Sequence, residues 1–177
     1  MHPYHHAQSQ PEKIAYVMAE SGEAVSYRQL DERSNQFAHL LRAAGLQAGD
    51  HMAILLENHP RFFEICWGAQ RAGVIYTAIS TRLKLNEAAY IINNCAARLM
   101  VTSIAQSELA TGLLSHMSGV AQKLVLDGEL AGYVPFEQVL SQYPSTPIAD
   151  ETAGTDMLYS SGTTGYPKGV FVPPESP

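Results

Sequence analysis

The apolar residues of this chain form short runs that alternate with stretches of helical periodicity. Residues 14–18 and 24–25 are strand-like and flank the polar turn 20–23, which predicts a β-hairpin. Ser26 is a candidate N-cap for the long helix that follows, because apolar residues then return at helical spacing as far as Ala44. The folded part of the chain is therefore expected to begin with a hairpin and an amphipathic helix.

From residue 52 onward the alternation becomes regular. The apolar runs predict strands near residues 52–56, 74–79, 98–102, 123–126 and 157–159. The stretches between these runs predict helices near residues 60–72, 86–96, 104–116 and 136–142. Strands separated by helices imply right-handed crossovers and parallel pairing. The expected fold class is α/β, with a mostly parallel sheet flanked by helices and a small N-terminal hairpin.

Composition and charge narrow the class of protein. Hydrophobic residues make up 46% of the 177 residues and charged residues 16%, as in a globular domain. The net charge of −6 argues against a nucleic-acid surface, and no apolar stretch is long enough for a transmembrane helix. The N-terminus lacks the pattern of a signal peptide, and Cys66 and Cys95 fit reduced core residues, so we expect a cytoplasmic protein.

No metal site is predicted from the side chains, and several polar residues have simple structural interpretations. His2, His5 and His6 lie in residues 1–12, which we interpret as a loose polar tail. Asp50 is expected in a turn, the segment 58–60 at the start of a helix, and Tyr76 in the core. The α/β domain is assigned to residues 13–155, with a loop at 143–151.

Residues 159–169, YSSGTTGYPKG, concentrate glycines, hydroxyls and one lysine after a short strand. Glycines allow backbone N–H groups to approach an anion closely, hydroxyls add donors, and lysine adds a compact positive charge. The candidate phosphate-binding residues are Ser160, Ser161, Gly162, Thr163, Thr164, Gly165, Lys168 and Gly169. The P-loop pattern is excluded because Pro167 stands where it requires glycine, and no GxGxxG occurs. The segment is thus another kind of phosphate loop or a surface turn.

The ordered string from the strand through SSGTTGxPKG resembles the phosphate-loop signature of the adenylate-forming (AMP-binding) enzymes. Residues 26–83 and the segment LNEAAYIINNCAARLMVTS resemble the first half of these enzymes, and the similarity spans about residues 11–171. The stretch YTAISTRLKLNEAAYII is most similar to fatty-acyl-CoA synthetases. The resemblance implies the N-terminal subdomain of the acyl-CoA synthetase-like fold, with the phosphate loop and the start of a next subdomain in residues 156–177.

The resemblance also implies the chemistry. A carboxylate attacks the α-phosphate of ATP with Mg2+, and coenzyme A then takes the acyl group. Lys168 is the implied catalytic residue, the hydroxyls of the loop hold the β- and γ-phosphates, and Asp156 and Tyr159 anchor the loop. Because the family implies further binding segments in a longer chain, we expect these 177 residues to be an N-terminal fragment that is inactive alone.

Three alternatives remain open at this stage. The acid could be an amino acid or aryl acid rather than a fatty acid. The chain could instead be a non-catalytic α/β interaction module. A homodimer could form through a surface that a further subdomain would otherwise cover.

Overall fold

The computed structural model describes residues 3–160 and 167–172 of the chain. Its helices are α1 (Pro3–Ser9), α2 (Tyr27–Ala43), α3 (Phe62–Arg71), α4 (Leu85–Asn94), α5 (Ser107–Leu113) and α6 (Phe136–Leu140). Its strands are β1 (Ile14–Val17), β2 (Ala24–Ser26), β3 (His51–Leu55), β4 (Ile75–Ala78), β5 (Ala97–Ser103), β6 (Gln122–Leu126), β7 (Val134–Pro135), β8 (Thr155–Ser160) and β9 (Lys168–Phe171).

Seven strands form one sheet in the order β7-β6-β5-β3-β4-β8-β9. All neighbouring pairs are parallel except β8 and β9, which are antiparallel. The central strand β3 pairs with β4 on one side and β5 on the other, and Ala53 lies opposite both Thr77 and Met100. The separate two-stranded sheet of β1 and β2 is the predicted hairpin. The α/β prediction is confirmed.

Two apolar cores cover the two faces of the sheet. Helices α2 and α3 pack with one face of β3 around Phe37 and Ile65, while α4 and α5 pack with the other face around Ile92 and Leu113. The central strand is buried on both faces because both cores draw on its residues. This double burial explains why its sequence is a continuous apolar run rather than an alternating one.

The long helix α2 begins and ends where the sequence predicts. The Ser26 side chain accepts the Gln29 backbone N–H, and the Gln29 side chain accepts the Ser26 N–H, which completes a capping box. Gly45 follows the helix with a φ of +81°, a left-handed conformation that favours glycine. Among the residues that the structure describes, no helix is both long and apolar enough to span a lipid bilayer.

The structure departs from the sequence predictions in five places. Residues 3–9, predicted as part of a loose tail, form α1, in which Ala7 is buried and the His6 ring stacks on Tyr27 at 4.8 Å. The predicted helix 104–116 is a 3-10 turn followed by the shorter α5. The strands β7 and β9 lie outside the predicted ones. Phe63 is 49% exposed although the apolar composition of α3 predicts burial.

Candidate functional site

The glycine-rich segment follows β8 at the carboxyl edge of the parallel sheet. Thr155 and Asp156 of β8 pair with β4, and Ser160 ends the strand. In the returning strand β9, Lys168 lies opposite Ser160. The intervening candidates Ser161, Gly162, Thr163, Thr164 and Gly165 lie outside the described residues. The sheet therefore fixes both ends of the loop at the edge where open α/β sheets bind ligands.

Lys168 is exposed at the first position of β9. Within the described part of the chain it takes part in no salt bridge, although seven arginine–carboxylate pairs join other side chains. A lysine held by a structural carboxylate would have to break that pair before it bound a phosphate. Among the described residues, no salt bridge of Lys168 would have to break before its ammonium group bound a phosphate.

Gly169 lies opposite Tyr159 in the β8–β9 hairpin. A Cβ atom at position 169 would clash with the Met157 Cε and lie 3.2 Å from the Tyr159 Cζ, so these side chains occupy the space that a larger residue would need. Glycine at 169 therefore permits the tyrosine ring to cover the hairpin, an arrangement known from glycine–aromatic pairs in sheets. Its observed role is packing within the strand pair.

Tyr159 ties the end of β8 to the helix layer. Its hydroxyl donates to the Asn94 Oδ1 at 2.6 Å, at the end of α4. Burial, followed by the neighbouring Cys95 and Tyr90, raises the pKa of Tyr159 to about 12. The hydroxyl therefore keeps its proton, and its hydrogen-bond donor, through the neutral range. These contacts support the predicted anchoring role of Tyr159.

The start of β8 is fixed by the end of α3. The backbone N–H of Thr152 donates to the Arg71 carbonyl at 3.0 Å, and that of Gly154 donates to the Gln70 carbonyl at 2.7 Å. The buried Arg71 guanidinium also pairs with Glu151 at 3.1 Å and with Asp31 of α2. Both ends of β8, and hence the start of the glycine-rich segment, are held by specific polar contacts.

Asp156, the other predicted anchor, lies next to Tyr76 across the β4–β8 pair. Burial is the main cause that raises the pKa of Tyr76 to about 12, and the nearby Cys66 and Asp156 add to it. Tyr76 is half-buried and packs against the core, as predicted. Cys66 and Cys95 are free and buried, also as predicted.

The turn interpretation of Asp50 is confirmed, whereas residues 58–60 lie just before α3 without capping it, because the N-cap of that helix is Arg61 and makes no side-chain capping hydrogen bond. The Asp50 carboxylate accepts the Gln47 backbone N–H at 2.7 Å within the turn before β3, and it pairs with Arg98 at 2.6 Å. The His59 Nδ1 accepts the Arg61 N–H at 3.1 Å immediately before α3. Both side chains stabilise chain turns at the ends of regular elements.

Sequence reasoning missed one group of polar residues. Glu57 and His59 follow β3 and Asp127 follows β6, and their ligand-type atoms lie within 4.8 Å of one another. They are up to 70 positions apart in the chain, so no local motif links them. The detectable signal was their common position just beyond the carboxyl ends of predicted parallel strands.

Similar proteins agree with this fold. The crotonobetaine/carnitine–CoA ligase of Proteus mirabilis is 36% identical over 159 residues, which cover 83% of this chain and 30% of the ligase. Long-chain fatty acid transport protein 1 of Mus musculus is 31% identical over 182 residues, which cover 94% of this chain and 27% of that protein. The chain thus spans less than a third of the length of these curated relatives.

A solved structure, that of a Mycobacterium tuberculosis fatty acyl CoA synthetase, matches 95% of this chain and 33% of the synthetase with a TM-score of 0.82. At 23% identity this similarity shows a common fold. The sequence profile described as AMP-binding enzyme matches residues 4–175, nearly the whole chain. The chain therefore belongs to the AMP-binding enzyme family.

Proposed function

We propose that this chain forms the N-terminal part of an ATP-dependent acid–thiol ligase, which makes an acyl-adenylate and then an acyl-CoA thioester. The observation that carries the proposal is the position of Lys168, exposed and opposite Ser160 where the loop leaves the carboxyl edge of the sheet. In a family of AMP-binding enzymes, this arrangement supports a role for the loop in holding the triphosphate of ATP.

In the proposed first step, a carboxylate oxygen attacks the α-phosphorus and pyrophosphate leaves. In the second step, the thiol of coenzyme A attacks the acyl carbon and AMP leaves. The first step brings together a carboxylate and a triphosphate, both anionic, so positioning and charge neutralisation are the main requirements. The positive charge of Lys168 stabilises the β- and γ-phosphates, whose negative charge increases as the bond to the α-phosphorus breaks.

The hydroxyls and backbone of the loop complete this proposed role. Ser160, Ser161, Thr163 and Thr164 would donate hydrogen bonds to the phosphate oxygens, and Gly162 and Gly165 would let the backbone approach. Mg2+ would enter with ATP as part of the substrate. Tyr159 would keep the loop in place through its hydrogen bond to Asn94.

The acid is proposed to be a fatty acid, and the ligase to act in the cytoplasm, where ATP and reduced thiols are available. The relatives are named for crotonobetaine, carnitine and long-chain fatty acids, and this supports a carboxylic acid as substrate. Because the chain covers only 30% of the first of these relatives, we propose that it binds MgATP weakly and does not form acyl-adenylate by itself.

Calorimetry with MgATP and an ATP–pyrophosphate exchange assay on the 177-residue chain test this proposal. We expect weak binding that Lys168→Ala reduces about tenfold, equivalent to about 1.4 kcal/mol, and no decanoate-dependent exchange. Lys13→Ala removes another exposed lysine and should leave binding unchanged. Equal binding of MgATP by wild type and Lys168→Ala would contradict the role of the loop. Robust exchange would contradict the proposal that the chain does not form acyl-adenylate by itself.

The β8–β9 hairpin favours a second candidate function, self-association as a non-catalytic module. Four apolar residues on it are exposed: Leu158, Val170, Phe171 and Val172. Among the described strands, β9 lies at the end of the sheet with β8 as its neighbour, so its other edge can pair with a second copy of the chain. Gel filtration with light scattering should then show a dimer that Val170→Lys dissociates, whereas a monomer at all concentrations would refute this candidate.

A further inference from the structure

A cavity of about 700 Å3 opens at the carboxyl edge of the sheet, away from the glycine-rich loop. One wall is the β1–β2 turn over residues 17–23, and the other is the segment 56–60 that follows β3. Asp127, which follows β6, also lines it. Two strand spacings separate β3 from β8, roughly 10 Å across the sheet, and the described residues at the two ends of the glycine-rich loop are not among those that line the cavity.

The cavity lies where the sheet reverses its winding. The adjacent strands β3 and β5 lead in opposite directions, β3 through α3 to β4 and β5 through α5 to β6. Because α3 and α5 pack on opposite faces, the chain segments that leave β3 and β5 diverge beyond the contact of Glu57 with Ser103 and Gln106. Such a switch point is the usual place for a ligand in an open α/β sheet.

The inner part of this cavity holds a fixed negative charge. The Glu57 carboxylate accepts hydrogen bonds from the Ser103 hydroxyl at 2.8 Å and from the Gln106 side chain at 3.0 Å. Burial acts to raise the pKa of Glu57, but the hydrogen bonds from Gln106, the backbone and Ser103 outweigh it and lower that pKa below its ordinary value. Glu57 is therefore an oriented carboxylate that stays ionised at neutral pH.

His59 is held in one neutral tautomer between two partners. Its Nδ1 accepts the Arg61 backbone N–H at 3.1 Å, so the proton of the neutral ring is on Nε2. The Nε2–H then donates to the Asp127 Oδ2 at 2.9 Å. A metal ion needs a free lone pair on one of these nitrogens. Both are engaged, which argues against a metal site at Glu57, His59 and Asp127 and leaves the second oxygens of the carboxylates for another ligand.

The remaining lining is apolar and acidic. Leu56, Phe62 and Phe63 contribute apolar surface, and Phe63 keeps 49% of its surface exposed. Glu20 and Glu23 add negative charge from the hairpin, and none of the described lining residues is lysine or arginine, although the charge of Arg61 acts on Glu23 from outside the lining. Four carboxylates therefore line this cavity together with an apolar wall.

We propose that this cavity binds a small organic cation, an ammonium group joined to an apolar body. The ammonium group would lie between Glu57 and Asp127, and the apolar body would contact Phe62 and Phe63. The volume is in the range of small-molecule sites, and an ammonium near an aromatic face gains further attraction. This inference is independent of the proposed ligase function because it uses none of the residues of the glycine-rich loop.

Titration of the 15N-labelled chain with 2-phenylethylammonium, followed by NMR, tests the proposal, with the neutral 2-phenylethanol as the matched probe. We expect the ammonium to bind about tenfold more tightly than the alcohol, with shifts of the amide signals of residues 56–59 and 127. Asp127→Asn and Glu57→Gln should each weaken ammonium binding by about fivefold or more. Glu32→Gln, which removes an exposed charge of α2 outside the cavity, should not change it.

Ala19→Trp provides a variant that spares the polar contacts. Ala19 is an exposed hairpin residue that lines the cavity, so the indole should fill it without disturbing the core and abolish binding of both probes. Equal affinity for the two probes, or unchanged binding in Asp127→Asn and Glu57→Gln, would overturn the proposal. Tight Zn2+ binding that Asp127→Asn removes would also overturn it, in favour of a metal site. Saturating MgATP should not displace the ammonium.

Discussion

Arg71 is the buried cation that joins three parts of this fold, and its replacement by methionine is the most informative perturbation of stability. Its side chain is 1% exposed and contacts Asn35 at 2.7 Å, Glu151 at 3.1 Å and Asp31. These contacts connect α3 with α2 and with the segment that leads into β8. Methionine has a similar length but cannot donate a hydrogen bond.

The loss of stability expected for Arg71→Met follows from how deeply the partners of Arg71 are buried. Glu151 is 42% exposed and can recover hydration, so its loss contributes little. Asp31 is only 13% exposed and Asn35 is buried, so Arg71→Met leaves a carboxylate and an amide oxygen poorly solvated. Removing one partner of a buried pair typically costs about 3–5 kcal/mol, and because Asp31 keeps some contact with water we expect about 3 kcal/mol.

Urea unfolding measures this change, with Arg28→Met as the matched control. Arg28, on α2, also pairs with a carboxylate, that of Glu12 at 2.5 Å, but both side chains are largely exposed, so its loss should cost less than about 1 kcal/mol. The midpoint temperature of thermal unfolding should fall by roughly 6–12 °C for Arg71→Met. Adding Asp31→Asn to Arg71→Met should recover part of the loss, because the unpaired charge is removed.

A change in the free energy of unfolding for Arg71→Met no larger than that for Arg28→Met would refute the stabilising role of Arg71. A lack of recovery by Asp31→Asn in the Arg71→Met background would refute it as well. Either result would mean that water or repacking satisfies Asp31 and Asn35 without the guanidinium.

Three further predictions concern other parts of the domain. Gly68→Ala should destabilise the chain by about 1–3 kcal/mol in urea unfolding, because the new Cβ would lie 2.8 Å from the Phe37 Cδ1 where α3 crosses α2. Cys66 and Cys95 should react with iodoacetamide at pH 8 only in denaturant, as seen by mass spectrometry, because burial raises the pKa of Cys66 to about 12 and also raises that of Cys95. Because the pKa of Glu57 is lowered in the folded chain, this carboxylate contributes stability that is fully present above the ordinary pKa of glutamate and is lost as the pH falls through the lowered pKa, so Glu57→Gln should show a weaker loss of stability in acid.

The parallel strands and the long helix could be predicted because local sequence determines them. The central strand β3 is an uninterrupted apolar run, and α2 carries its own cap in Ser26 and its own stop in Gly45. Local propensity and tertiary packing agree at these positions, so periodicity alone identifies the elements.

Elements that depend on a partner could not be predicted in this way. The strand β9 contains Gly169 and follows Pro167, so its extended conformation comes from pairing with β8 rather than from its composition. The helix α1 is polar and short, and packing of Ala7 and stacking of His6 on Tyr27 stabilise it.

The two candidate sites also differ in whether local sequence alone identifies them. The glycine-rich segment is contiguous, so its residue types alone suggested phosphate binding. The cavity of Glu57, His59 and Asp127 exists because β3 and β6 end at the same edge of the sheet, with β5 between them. A site of this kind becomes visible only when the order of the strands is known.

The most direct test of the proposed function is ATP–pyrophosphate exchange by a complete ligase that contains this chain, with and without Lys168→Ala. We predict that the variant lowers the carboxylate-dependent rate at least about tenfold while Lys13→Ala leaves it unchanged, and that Lys168→Arg restores part of the rate. An exchange rate in Lys168→Ala equal to that of the unaltered enzyme would contradict the assignment of residues 160–169 to the triphosphate.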